Sequence, residues 1–192
     1  MNSIIRLYNA DKSPKTLLQL AIDTVILSLI VLMVPLLATI IIDGMRWDAA
    51  DFIIAGLLLF ISFFTYKVIA LKSNMMYKIA TAITVLTALF LIWVNLGVGL
   101  VGSGMNIPNL LYGAIPVIGL IGAISVKFKP LGMAMTLFVM ALLNTIIALI
   151  VVVGNDHYSG ESATLQIIML NGFFIVLWTS AGLLYRNAQK YS

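Results

Sequence analysis

Few side chains in this sequence could do chemistry. Asp23 is the one acid inside an apolar stretch, and Gln19 lies four residues before it, on the same face of a helix. An ionised carboxylate in hydrocarbon is costly, so such a residue is a candidate proton or cation site. The structural reading stands beside it: Asp23 lies roughly 9 Å of helix rise beyond Leu17, within reach of the headgroup boundary. There Lys15, Lys72 or Lys78 could pair with it. Three amides, Asn95, Asn144 and Asn171, also sit in apolar stretches. Thr84, Thr87, Leu91 and Asn95 share one helical face, which Thr81 extends. Such a face could line a pathway, or hydrogen-bond to neighbouring helices. The three amides could meet as one polar cluster between the third, fifth and sixth apolar segments. That cluster would pin the helices together or receive a small molecule. Asp156, His157 and Glu161 belong to a polar connection. A metal there would need about three protein ligands, and a solvated loop is the simpler reading.

The elements that position these residues follow from composition. Of 192 residues, 62% are hydrophobic and 9% charged, against about 25% charged in soluble domains. So few charges could not cover a soluble surface, and the class is an integral membrane protein forming a single transmembrane domain. The chain has no cysteine and one histidine, which excludes disulfides, iron–sulfur clusters, thiolate zinc sites and bis-histidine haem. No nucleophile–base pair, paired catalytic carboxylates or intramembrane protease motif is visible. The expectation is therefore a protein that is not an enzyme and that needs neither cofactor nor metal. The ten methionines read as packing.

A helix needs roughly 20 apolar residues to span a bilayer. Six segments qualify, over residues 17–42, 51–71, 76–101, 108–126, 132–153 and 163–185. The prediction is an all-α six-helix transmembrane bundle. Ser13-Pro14 reads as the start of the first helix, and Asp48 with Asp51 as a capping box opening the second. If the segments alternate, ten of the eleven Lys and Arg residues fall on one side and only Arg46 on the other, among Asp43, Asp48, Asp51, Asp156 and Glu161. The positive-inside rule then makes both termini cytoplasmic. It also gives the net charge of +4 a topological origin, with no nucleic-acid partner. Pro35 and Pro116 interrupt the first helix of each half, but no residue pattern repeats, which argues against inverted repeats.

Gly97, Gly99, Gly102 and Gly104 cluster after Asn95. No Lys-Ser or Lys-Thr follows, so they are not a phosphate loop. Gly97 with Val101, and Gly119 and Gly122 with Ala123, suit close helix packing. Gly102-Ser103-Gly104 suits a turn before Pro108. Trp47 and Trp93 are expected at the outer interface, and Tyr77, Tyr185 and Tyr191 at the inner one. Trp178 lies deeper and needs a partner for its indole N–H.

The run from Ile92 to Ser103 (IWVNLGVGLVGS) and that from Asn106 to Tyr112 (NIPNLLY) resemble an uncharacterised family of small bacterial multi-pass membrane proteins. Its pattern is W-V-N-L-A-V-G-I-I-G-S, then N-L-x-Y. Lys127 to Ala134 (KFKPLGMA) resembles that family's basic loop, and Leu170 to Phe174 (LNGFF) its last-helix motif. The resemblance covers about residues 76–185 and departs at Gly104 to Ile107, where the family carries acids and Asn before Pro. It implies a bacterial inner-membrane location and no known activity.

Two functions remain from this reading. The first is a non-enzymatic structural or accessory membrane component, partnered by the lipid bilayer and by a second copy or another membrane protein. The second is a small-solute, proton or ion transporter or channel, or a membrane substrate-binding subunit. Asp23, Gln19 and the three amides would line its path. A lipid- or quinone-handling role rests only on the apolar setting.

Overall fold

The computed structural model describes residues 16–42, 47–70, 74–97, 99–101, 106–154 and 161–191. The protein is all-helical. Its helices are α1 (Leu17–Ile41), α2 (Ala49–Ala70), α3 (Met75–Gly97), α4 (Ile107–Ser125), α5 (Pro130–Val153) and α6 (Glu161–Ala188), followed by a 3-10 turn at Gln189–Tyr191. All six are long and apolar enough to cross a membrane. Their outward faces are apolar as well: Ile26, Ile30, Val34, Ile53, Leu57, Leu120, Leu142 and Val176 are all exposed. A surface this apolar would not be tolerated in water, whereas in lipid it is the solvated one. The protein is therefore a multi-pass membrane protein.

Local chemistry places the helix ends. Thr16 caps α1: the Gln19 backbone N–H donates to its hydroxyl (3.3 Å), and the Thr16 N–H donates back to the Gln19 side chain (2.9 Å). The start read at Ser13-Pro14 lies outside the described residues. Asp48 and Asp51 form a reciprocal box at the start of α2, each accepting from the other's backbone N–H at 2.9 and 3.0 Å. Asn106 caps α4, with Pro108 in its first turn. Helix α3 ends at Gly97, four residues short of the predicted 101, because Gly99 turns to φ 75° and donates to the Val94 carbonyl. Asp43, Arg46, Lys72, Gly102, Ser103, Gly104, Asp156 and His157 also lie outside the described residues.

The chain divides into two compact units at Val68 and Ile69. In the first, a Cβ on Gly56 of α2 would sit 3.2 Å from Leu32 of α1. Leu20, Thr24 and Ser28 form the buried stripe of α1. In the second, α3 packs on α4, α4 on α5, α5 on α6, and α6 returns to α3. This closed ring of four helices surrounds Leu91, Tyr112, Ile115, Leu137, Phe174, Trp178 and Tyr185, all buried. Glycines bring its members together. A Cβ on Gly119 would meet Met140 Sδ at 2.5 Å, and one on Gly122 would meet Thr136 Cγ2 at 2.6 Å. Ala123, on the same face as Gly119, is buried. Gly182 of α6 faces the Phe138 ring of α5 in the same way. Gly97 makes no such contact among the described residues: a Cβ there would meet none of their atoms within 4 Å.

Candidate functional site

The buried polar side chains of the four-helix ring form the candidate site. Asn144 of α5 and Asn171 of α6 are essentially inaccessible, at 0% and 2% exposure. Asn144 Nδ2 donates to Asn171 Oδ1 at 2.8 Å, and Asn171 Nδ2 donates to the Ile167 carbonyl at 2.8 Å. The second bond orients the Asn171 amide, because only its nitrogen can donate to a carbonyl. Asn144 must then present its nitrogen to Asn171, which leaves Asn144 Oδ1 buried without a hydrogen bond. The Tyr112 side chain of α4 interacts with that of Asn171, yet its hydroxyl makes no hydrogen bond within ordinary geometry. Trp178, two turns along α6 from Asn171, is fully buried, and its indole N–H, which needs a partner, finds none among the described residues.

Asn95 does not join this pair. It turns to α4, where its Nδ2 donates to the Asn109 backbone carbonyl at 2.7 Å. It belongs to a clasp around Val101. The Val101 N–H donates to Asn109 Oδ1 (3.0 Å), and Asn106 Nδ2 donates to the Val101 carbonyl (2.6 Å). The Asn109 N–H in turn donates to Asn106 Oδ1 at 2.8 Å. Two asparagines, Asn106 and Asn109, thus satisfy both backbone groups of a residue between helices, where no ladder can, and Asn95 ties the second of them to α3. In the sequence Asn106 and Asn109 stood out only as part of the NIPNLLY run. The signal for the clasp was the density of Asn around Pro108.

The threonine face is spent mainly on its own helix. Thr84 donates to the Ala80 carbonyl and Thr87 to the Ile83 carbonyl, at 2.8 and 2.6 Å. Thr81 reaches across as well, at 2.9 Å from the Tyr185 hydroxyl of α6. Tyr77 and Tyr185, expected at the interface, are both buried and meet edge to face at 4.8 Å. The Tyr77 hydroxyl donates to the Phe128 carbonyl (2.7 Å), and Asn74 Nδ2 donates to the Ala188 carbonyl (3.0 Å). This polar layer joins the start of α3, the α4–α5 turn and the end of α6.

Asp23 and Gln19 belong to the other unit. Asp23 is half-buried and engaged in a polar interaction. Gln19 is exposed, and its amide oxygen is taken by the α1 cap. The described residues hold no group of three or more His, Asp or Glu side chains that could bind a metal ion. The groups gathered inside the ring are amides, hydroxyls and one indole. They can exchange hydrogen bonds between helices but cannot gain or lose a charge cheaply. Comparison with family models, curated proteins and solved structures finds no match.

Proposed function

We propose that this protein is a non-enzymatic structural or accessory component of a bacterial inner membrane, with both termini cytoplasmic. The observation that carries the reading is the Asn144–Asn171 hydrogen bond, with the Asn95–Asn109 bond beside it. Side chains that would have to line a path are engaged in joining α5 to α6 and α3 to α4. Ionisable side chains within membranes mark proton relays and many ion pathways. Between Asp51 and Asp156 the sequence contains no acid at all. The one-sided lysines and arginines support the topology, and the resemblance to small bacterial membrane proteins supports the location. With connections this short, helix surfaces are the available contact area for a second copy or another membrane protein.

Extraction into native nanodiscs followed by crosslinking tests this. The expected result is co-isolation with another copy or with a distinct membrane protein. A lone monomer that brings nothing with it overturns the reading.

A second reading, a transporter or a membrane subunit that binds a neutral solute, is favoured by the unpaired Asn144 Oδ1, Tyr112 hydroxyl and Trp178 indole. Solute uptake into proteoliposomes that Asn144→Leu abolishes would establish it. Flux unchanged by Asp23→Asn would remove Asp23 from any such path.

A further inference from the structure

The connection between α4 and α5 departs from the rest of the molecule in both backbone and charge. Helix α4 ends with the Lys127 N–H donating to the Ile124 carbonyl and the Phe128 N–H to the Ala123 carbonyl, both at 3.0 Å. This paired closure puts its pivot residue in the left-handed region, where glycine is the usual occupant. Here the residue is Lys127 at φ 54°, followed by Phe128 at φ 56°. Helix α5 then starts at once, with Lys129 as an N-cap that makes no side-chain capping bond and Pro130 in the first turn.

Beside this turn lies a groove of about 480 Å³, lined by Ser125, Val126, Lys127, Lys129, Leu131, Gly132 and Gln189. That volume is within the range of small-ligand sites, about 300–1,000 Å³. Lys127 and Lys129 are exposed on its walls, and Arg186 and Lys190, also exposed, flank Gln189 in sequence. Among the described residues of the second unit, no carboxylate side chain balances them. In the second unit the only acids are Asp156 and Glu161, which follow the far end of α5, about 36 Å away by helix rise. Below the groove the surface turns apolar, with Ile121, Ile124, Leu131 and Met135 all exposed.

We propose that this groove binds the phosphate of an anionic phospholipid, whose acyl chains lie along the adjoining apolar faces of α4 and α5. Cations alone would suit any phosphate. The apolar surface continuous with the groove selects a lipid over a free anion, because only a lipid places both chemistries there at once. Basic pockets at the membrane surface recognise anionic headgroups by this combination.

Native mass spectrometry of the full chain in detergent, titrated with phosphatidylglycerol or phosphatidylcholine, tests the site. Retained phosphatidylglycerol adducts in clear excess over phosphatidylcholine are expected. Lys127→Gln with Lys129→Gln should weaken phosphatidylglycerol binding about 30-fold, while Lys127→Arg with Lys129→Arg should retain it. Lys67→Ala, outside the groove, should leave it unchanged. If the double glutamine variant does not fold, Ser125→Glu carries the test by placing a carboxylate on the rim, with the same loss expected. Equal retention of the two lipids, or phosphatidylglycerol binding untouched in the folded variants, overturns the proposal. Full displacement of phosphatidylglycerol by millimolar inorganic phosphate overturns it too, by showing a site for the free anion.

Discussion

At the scale of single residues, the molecule separates polar groups that are paired from those left alone. Asn144 and Asn171 depend on each other, and each becomes a liability if the other is removed. The double variant Asn144→Leu with Asn171→Leu should therefore destabilise less than the sum of the two single variants. Double-mutant cycles on unfolding in detergent should return a coupling of about 0.6–1.7 kcal/mol. Zero coupling would show the bond to be energetically empty. Lys127 offers a second prediction. A side chain in the left-handed region costs about 1–2 kcal/mol relative to glycine, so Lys127→Gly should raise the melting temperature while Lys127→Ala should not. The sequence marked Asn95, Asn144 and Asn171 as residues in need of partners, because an amide in hydrocarbon has no water to turn to. It did not show that Asn95 pairs with a backbone carbonyl on α4. Helical periodicity assigns a residue to a face but does not say which helix that face meets.

At the scale of elements, contact between α4 and α5 is set by glycines whose tolerance should differ. A Cβ on Gly132 would run into Val126 Cβ, an atom tied to the backbone. On Gly122 it would meet Thr136, which is β-branched and held by its hydroxyl on the Gly132 carbonyl. On Gly119 it would meet the sulfur and terminal methyl of Met140, which can swing away. Alanine should accordingly destabilise in the order Gly132, Gly122, Gly119, with the first costing about 1–3 kcal/mol and the last well below it. Thermal unfolding of the three purified variants checks the order, and a Gly119→Ala variant as unstable as Gly132→Ala would refute it. The small-residue face of α4 was visible in the sequence as Gly119, Gly122 and Ala123. The absence of such a contact for Gly97 among the described residues was not, since a glycine at a helix end and one in a helix contact look alike until the neighbour is known.

At the scale of the whole molecule, a chain without cysteine provides a clean background for mapping topology. Single substitutions Lys129→Cys and Lys190→Cys should be shielded from a membrane-impermeant thiol reagent applied to intact cells, and Asp48→Cys should be labelled. The opposite pattern would invert the topology inferred from charge. Composition and the length of six apolar runs were determined by the sequence alone, because transfer to a bilayer depends on each segment's own side chains. The tertiary structure decided what those segments do to one another. It closed α3 to α6 into a ring through contacts such as Asn74 with Ala188, 114 residues apart. It also separated Asn95 from the Asn144–Asn171 pair and gathered Lys127, Lys129 and Gln189 around one groove. Hydropathy is a property of each segment taken by itself. Hydrogen-bond partners and grooves arise only where two segments face each other, so the order of helices in the ring had to be known before either could be read.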